Sequence, residues 1–171
     1  FAINPDIMTM AKGLASAYQP ISAIMITDDI YKELRDQSDR IGFFAQAFTT
    51  TGHPVAAAVA LRAQQLMEER DILGHVRQVS PALQDGVHAF ADHPLVGDVR
   101  GVGLMAAVEL VADKATRMSF DPAFKVKEYV RQRAQERGLI IRSAVAGDTL
   151  AFSPPLIISE AEIVEMLERF S

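Results

Sequence analysis

The stretch "MTMAKGLASAYQPISAIMI", residues 8–26, decides the fold because two short apolar runs flank a single charged residue, Lys12. Residues 7–10 and 21–26 have the length and composition of buried strands. The second run leads directly into "DDIYKELRDQ", whose pattern is that of a helix. The stretch therefore predicts α/β construction.

Lys12 is unusual because its neighbours in sequence are apolar or small, and the nearest charges are Asp6 and Asp28. An amine that loses its water also loses its proton readily, which leaves a lone pair that can form a Schiff base. The alternative is a lysine at a strand end whose ammonium extends to water. On this stretch alone, we favour the alternative.

Composition excludes several classes of function. The 171 residues include 49% hydrophobic residues and carry a net charge of -5 without a basic cluster, so we expect a packed core and no nucleic-acid partner. The absence of cysteine excludes disulfides and thiolate metal sites and fits a cytoplasmic location. No apolar run is long enough to span a bilayer, so no membrane partner is expected.

Periodicity along the chain divides it into two parts. "PVAAAVALRAQQLMEER" from Pro54 predicts a helix with a buried first half, and apolar residues recurring every three or four positions over 72–90 predict helices that break or kink at Pro81. "LVGDVRGVGLMAAVELVAD" then predicts two paired strands. We place a boundary within residues 75–95, giving a partial large domain at 1–80 with an interdomain helix and a small α+β domain at 81–171.

The small domain has recognisable element ends. Asp121 and Pro122 predict the start of a helix, "LIIR" and "TLAFS" predict short strands, and Ser159 with Glu162 predicts a capping box that starts the last helix.

Two motifs offer alternative functions. "GVGLMA", residues 101–106, matches a dinucleotide fingerprint and could indicate an NAD-dependent oxidoreductase, although Asp121 starts a helix instead of ending a strand. His88, Asp92 and His93 could suggest a metal, but a helix end explains them better, and we expect no metal.

"QAFTTTGHPVAAAVALR" places three hydroxyls, Thr49 to Thr51, just before a helix N-terminus. Free amides and the helix dipole favour an anion there, whereas plain N-capping would need only one hydroxyl. Together with Lys12 and a possible carboxylate-binding arginine, Arg142, this turn indicates an imine-forming enzyme with a phosphorylated cofactor. Pyridoxal 5'-phosphate (PLP) fits best.

Four segments resemble the class III (subgroup II) PLP-dependent aminotransferases, of the omega-amino-acid or amine:pyruvate transaminase type. They are "PDIMTMAKGLASAYQPISAIMI", "FTTTGHPVAAAVAL", "VRGVGLMAAVEL" and "GLIIRSAVAGDTLAFSPPLIISEAEIVEML". The resemblance covers essentially the whole sequence and corresponds to the C-terminal portion of a fold type I PLP-dependent transferase.

The resemblance implies a role for each candidate residue. Lys12 would bind the cofactor covalently, Phe48, Thr49 and Thr50 would reach the cofactor phosphate of a neighbouring subunit, and Arg142 would bind a substrate carboxylate. It also implies a homodimer or dimer of dimers that moves an amino group from an amine or omega-amino acid to a keto acid such as pyruvate.

The resemblance also implies that the family's remaining cofactor-binding residues would precede Phe1, the first residue of this sequence. We therefore expect a fragment that is inactive alone, with activity in a longer parent. The alternatives are a non-catalytic α/β interaction module and the NAD-dependent oxidoreductase.

Overall fold

The computed structural model describes residues 3–145 and 147–171, and its contacts divide the chain into two units. The first unit is Phe1–Arg70 and the second unit is Asp71–Ser171. This division lies ten residues before the expected boundary between domains at 1–80 and 81–171. Those expected limits describe domains of a longer protein, and they stay a prediction. Among the described residues, no helix is both long and apolar enough to cross a bilayer.

The first unit combines a β-hairpin with two helices. Strand β1, Ile7–Met10, pairs antiparallel with strand β2, Ala23–Ile26, in the register Ile7 to Ile26. Helix α1, Asp28–Ile41, follows β2 directly, and helix α2, Pro54–Glu69, has its proline in the first turn, where a missing N–H costs no helical hydrogen bond. The predicted strands and helices are confirmed here.

The predicted burial of these elements is wrong. Ile24 of β2 is 68% exposed and Met25 is 55% exposed, and α2 buries only Ala56 and Ala60. A strand is buried on both faces only when other elements cover the sheet, and the described first unit supplies a hairpin of two strands. The apolar pattern therefore predicted the element type but not its environment.

The second unit is built around a four-stranded antiparallel sheet in the order β3-β4-β6-β5. Its strands are β3, Val96–Val102, β4, Met105–Leu110, β5, Arg142–Ser143, and β6, Asp148–Phe152. Its helices are α3, Ile72–His88, α4, Val126–Glu136, and α5, Glu160–Phe170. The paired strands and the capping box at Ser159 are confirmed.

The core of the second unit lies between the sheet and its helices. Five side chains are almost completely enclosed: Leu83, Val87, Val108, Leu150 and Ile163. Phe170 of α5 closes one side of this core, because its ring meets Phe90 and Phe152 edge to face at centroid distances of 5.2 and 4.9 Å.

Of the predicted kink or break at Pro81, the break is wrong, since α3 runs through the proline as one helix, and the kink stays a prediction. Pro81 has no N–H to offer the carbonyl of Arg77, but Val79 before it and Leu83 after it are both buried in the same core. Core packing on both sides of the proline thus favours a helix that continues through it.

The predicted start of the next helix at Asp121 and Pro122 is also wrong. Asp121 caps a short 3-10 turn, Pro122–Phe124, and the backbone of Lys125 then adopts a left-handed conformation with φ of 49°. That residue interrupts the helical path, so α4 begins at Val126.

Candidate active site

Lys12 is the first residue of a 3-10 turn, Lys12–Leu14, that follows β1 after one residue. Two backbone hydrogen bonds close the turn: the N–H of Leu14 donates to the carbonyl of Ala11 at 3.2 Å, and that of Ala15 to the carbonyl of Lys12 at 3.3 Å. Ala15 is only 1% exposed and anchors the turn to the first unit. The end of a strand and a buried alanine thus fix where Lys12 lies.

The backbone around Lys12 is strained. Lys12, Ser16 and Ala17 all have positive φ, of 53°, 48° and 62°, although none of them is glycine. The left-handed region costs an L-residue on the order of 1–2 kcal/mol because Cβ crowds the following carbonyl. Such strain tends to cluster at functional sites, where surrounding contacts maintain it.

The side chain of Lys12 is exposed in this structure, which agrees with the alternative of a lysine that extends to water and not with a desolvated amine. The turn follows the first strand of a two-stranded sheet. Lys12 lines an open pocket of about 430 Å³ together with Thr9, Ser22 and Ile24 among others. Its amine is therefore accessible to a small molecule.

The turn that contains Gly13 and Leu14 is held from helix α2. The side-chain amide of Gln64 donates to the carbonyl of Gly13 at 3.2 Å and to that of Leu14 at 3.0 Å. Sequence reasoning missed this residue, since a glutamine in a helix carries no signal of its own and its acceptors lie some 50 positions earlier.

The threonine turn before α2 does not act as the helix cap. His53 is the N-cap, and its Nδ1 accepts a hydrogen bond from the N–H of Ala56 at 3.4 Å. The hydroxyl of Thr51 closes the turn by accepting from the N–H of Phe48 at 3.0 Å. The alternative of plain threonine capping is therefore wrong.

Thr49 and Thr50 keep their hydroxyls available. Both residues are exposed, and neither hydroxyl bonds to a described residue within hydrogen-bonding distance. Phe48 beside them is 76% exposed. None of these three residues lines the pocket at Lys12.

Arg142 lies in the short edge strand β5, where it is the register partner of Ala151. Its side chain is exposed, and no described carboxylate lies within ion-pair distance of its guanidinium. The alternative of an Arg142–Asp148 pair is wrong, because Asp148 instead accepts from the backbone N–H of Lys127 at 3.3 Å. Arg142 lines a second open pocket, of about 460 Å³, together with Arg131 and Gln135.

The loop after Arg142 is held by Lys127 of α4, which sequence reasoning also missed. Its ammonium donates to the carbonyls of Ala144, Val145 and Gly147 at 3.2, 3.3 and 3.0 Å. Three carbonyls from one loop thus share one charge. Ala146, in the middle of this loop, lies outside the described residues.

The "GVGLMA" segment forms a hairpin between β3 and β4, with no helix after the glycines. A Cβ on Gly101 would lie 2.5 Å from the carbonyl oxygen of Met105 and 2.6 Å from Oε1 of Gln84. Gly103 turns the chain with φ of 60°, and the amide of Gln84 donates to the carbonyls of Gly103 and Met105 at 2.8 and 3.1 Å. The hairpin therefore excludes the dinucleotide site that the oxidoreductase alternative required.

The histidines that could have suggested a metal serve local structure. Nδ1 of His88 lies 2.7 Å from the carbonyl of Gln84, and Nδ1 of His93 accepts from the N–H of Leu95 at 3.2 Å. Across residues 3–145 and 147–171, no group of three or more potential metal ligands occurs.

Known proteins with similar sequences are aminotransferases. The family model described as aminotransferase class-III matches residues 1–171. The gamma-aminobutyrate transaminase 1, mitochondrial, of Oryza sativa subsp. indica is 44% identical over 170 residues, which are 99% of this chain and 33% of that protein. An uncharacterized aminotransferase, y4uB, of Sinorhizobium fredii is 43% identical over 98% of this chain and 36% of its own length.

Solved structures of transaminases have a backbone similar to that of this chain. The omega transaminase from Pseudomonas jessenii in complex with PMP superposes with a TM-score of 0.93 at 45% identity, covering 99% of this chain and 37% of that one. A structure described as a transaminase with L-ala gives a TM-score of 0.92 at 44% identity over 98% of this chain and 39% of its own. The chain spans about a third of the length of the curated relatives it matches. With a family match over all of its residues and the same backbone as solved transaminases, this chain belongs to the class III aminotransferases.

Proposed function

We propose that this chain takes part in PLP-dependent transamination, in which an amino group moves from an amine or omega-amino acid to a keto acid such as pyruvate. The observation that carries the proposal is the accessible amine of Lys12 on a strained turn at the end of β1, in a chain of the aminotransferase family. Bound PMP in the Pseudomonas jessenii structure adds support.

The residues present fit the cofactor chemically. PLP supplies an aldehyde that condenses with a primary amine and a ring that accepts electrons. Lys12 offers the amine beside an open pocket, and Thr49 and Thr50 offer hydroxyl donors for phosphate oxygens. No described carboxylate neutralises the guanidinium of Arg142, so it can pair bidentately with a substrate carboxylate.

Each residue then has one task. Nζ of Lys12 would bind the cofactor and, once an amine substrate has displaced it, would take the proton from the carbon that carries the amino group and deliver it to the cofactor carbon. As the family resemblance implies, Thr49 and Thr50, with Phe48 beside them, would complete a phosphate site on a neighbouring subunit. Their turn does not line the pocket of their own Lys12, which is compatible with that role. This arrangement requires a homodimer or a dimer of dimers. A chain free of cysteine is compatible with a cytoplasmic location, whereas the rice relatives are named as mitochondrial.

Borohydride trapping tests the proposal directly. A full-length protein that carries these residues, incubated with PLP and reduced with borohydride, should yield one modified peptide with the cofactor on Lys12. Lys12→Arg should show no modification, since a guanidinium does not condense under these conditions. Cofactor fixed on any other lysine, or none fixed at all, would contradict the proposal.

The role of Arg142 is tested through substrate preference. Arg142→Ala should cost a keto-acid acceptor about 2–4 kcal/mol in kcat/KM, because a charged partner is lost, and should barely affect an uncharged amine donor in its own half-reaction. Arg142→Lys keeps the charge but loses the bidentate geometry, so its kcat/KM for the keto acid should lie between those of the wild type and Arg142→Ala. Equal losses for acceptor and donor would mean that Arg142 is structural.

A further inference from the structure

A side-chain amide of helix α2, that of Gln64, hydrogen-bonds to the turn that carries Lys12. We propose that Gln64 is a positioning residue for Lys12: by holding the carbonyls of Gly13 and Leu14, its amide fixes the backbone from which the reactive amine extends. The inference rests on the proposed function and adds to it a residue outside the predicted site.

The hydrogen bonds of Gln64 use its full donor capacity. Nε2 carries two hydrogens, and two carbonyls lie at bonding distance, Gly13 at 3.2 Å and Leu14 at 3.0 Å. No backbone N–H of a described residue donates to either carbonyl outside the helices and strands. Gln64 is therefore the contact that ties the middle of the turn, one and two residues after Lys12, to a long helix.

The strain in the turn gives this contact its importance. The backbone is left-handed on both sides of the two carbonyls. Lys12 precedes them, and Ser16 and Ala17 follow them. Strained residues relax when the contacts that hold them are lost. Without the amide of Gln64, the Lys12 backbone is expected to leave φ of 53°, and its amine would then sample many positions.

The second unit shows the same contact in a turn without a reactive lysine. Gln84 of α3 donates from one amide to the carbonyls of Gly103 and Met105 at 2.8 and 3.1 Å. A helix-borne glutamine that holds a tight turn through two carbonyls is thus a device that this chain uses twice. In the first unit, the turn so held is the one that carries the candidate catalytic amine.

The experiment compares three variants of the full-length protein that carries these residues. Gln64→Met keeps the length of the side chain and removes both donors. Gln64→Glu keeps the shape but presents a carboxylate, which cannot donate, to two carbonyls. Gln65→Met is the matched control, because Gln65 is the next residue of α2, is exposed, and only accepts from Arg62 at 3.4 Å.

Two measurements are made on each variant. Hydrogen exchange of the cofactor-free protein reports the amides of Leu14 and Ala15, and the rate of covalent adduct formation with added PLP reports the position of the Lys12 amine. In Gln64→Met we expect about tenfold faster exchange and about tenfold slower adduct formation, whereas Gln65→Met should match the wild type.

The Gln64→Glu variant provides a pH test that a general loss of folding would not reproduce. Protonation of the new carboxyl as the pH falls restores one O–H donor. Relative to Gln64→Met at the same pH, exchange at Leu14 should therefore become slower and adduct formation faster. The Met variant should show no such recovery.

The outcomes separate the inference from the proposed function. Unchanged exchange in Gln64→Met, or faster exchange with an unchanged adduct rate, would overturn the positioning role. A wild-type protein that forms no adduct with PLP would contradict the proposed function instead, while the exchange data would still show whether Gln64 holds the turn.

Discussion

At the residue scale, several side chains hold turns by donating to backbone carbonyls, among them Gln64, Gln84 and Lys127. None of them was predicted, because each bond joins residues far apart in sequence and depends on how helix and turn are placed. Lys12 could be located from sequence, since the apolar runs beside it set the strand end. Its exposure agrees with the alternative favoured on that stretch alone. The exposure of the strand residues Ile24 and Met25 could not be predicted, because burial depends on covering elements that no local pattern encodes.

The first residue-scale prediction concerns Thr49. Thr49→Val in a full-length protein should weaken PLP retention about ten- to a hundredfold, because a hydroxyl donor to a charged phosphate is lost, a bond worth roughly 1.5–3 kcal/mol. Thr49→Ser keeps the hydroxyl and should retain most of the affinity, as measured by dialysis against known concentrations of PLP. If Thr49→Val binds PLP as the wild type does, Thr49 does not contact the phosphate.

Gly101 carries the second prediction at this scale. Gly101→Ala should destabilise the protein by about 1–3 kcal/mol, because its Cβ would meet backbone at Met105 and the Gln84 side chain. Gly13→Ala is the control, since a Cβ there has nothing within 4 Å. Urea unfolding measures both. Equal stability of the two variants would show that the hairpin can widen without cost.

At the scale of elements, capping chemistry was predicted well where its partners are close in sequence. The hydroxyl of Ser159 accepts from the N–H of Glu162 at 3.3 Å, and the Glu162 carboxylate accepts from the N–H of Ser159 at 2.8 Å. Both partners lie within one turn of α5, so sequence spacing was enough. The start of α4 was missed because it depends on the backbone of Lys125 and on Asp148, a residue of another element.

The capping box predicts a pH dependence of α5. The N–H and then the hydroxyl of Ser159 bond to the Glu162 carboxylate and lower its pKa below the ordinary value of about 4.3. A lowered pKa in the folded state means that the contribution is present above pH 4.3 and is lost as the pH falls through the folded-state pKa. NMR titration of the Ser159 amide should therefore show a step below pH 4.3.

Two variants check that assignment. Glu162→Gln should lack the step, because an amide does not titrate in this range. Ser159→Ala removes the cap at Glu162 and should cost about 1 kcal/mol in unfolding free energy. A step that persists in Glu162→Gln would assign the titration to another carboxyl.

At the scale of the whole molecule, the alternation of strands and helices was predictable, and the family match agrees with it. Secondary structure type follows from periodicity, which is local. The continuity of α3 through Pro81 was not predictable, because the core on both sides of the proline outweighs its local preference. The same limit applies to α2, whose apolar first half is mostly exposed in the described first unit.

The core of the second unit yields the prediction at this scale. Leu150 is 0% exposed in the centre of the sheet, so Leu150→Ala should lower the free energy of unfolding by about 2–5 kcal/mol through lost burial and a cavity. Ile140→Ala is the matched control, because Ile140 is 90% exposed, and it should change stability by less than about 0.5 kcal/mol. Similar losses for both, by chemical denaturation, would place the core elsewhere.

The left-handed backbone at Ala17 has a consequence for engineering heat resistance. Replacing alanine by glycine usually lowers stability, because glycine gives the unfolded chain more freedom. At φ of 62° the sign should reverse, since glycine adopts this conformation without the Cβ clash that Ala17 tolerates. Ala17→Gly is thus a candidate for raising the melting temperature at a position next to the proposed catalytic turn. If Ala17→Gly raises the melting temperature but lowers activity, the loss of activity would measure how far the reaction depends on the strained backbone of this turn.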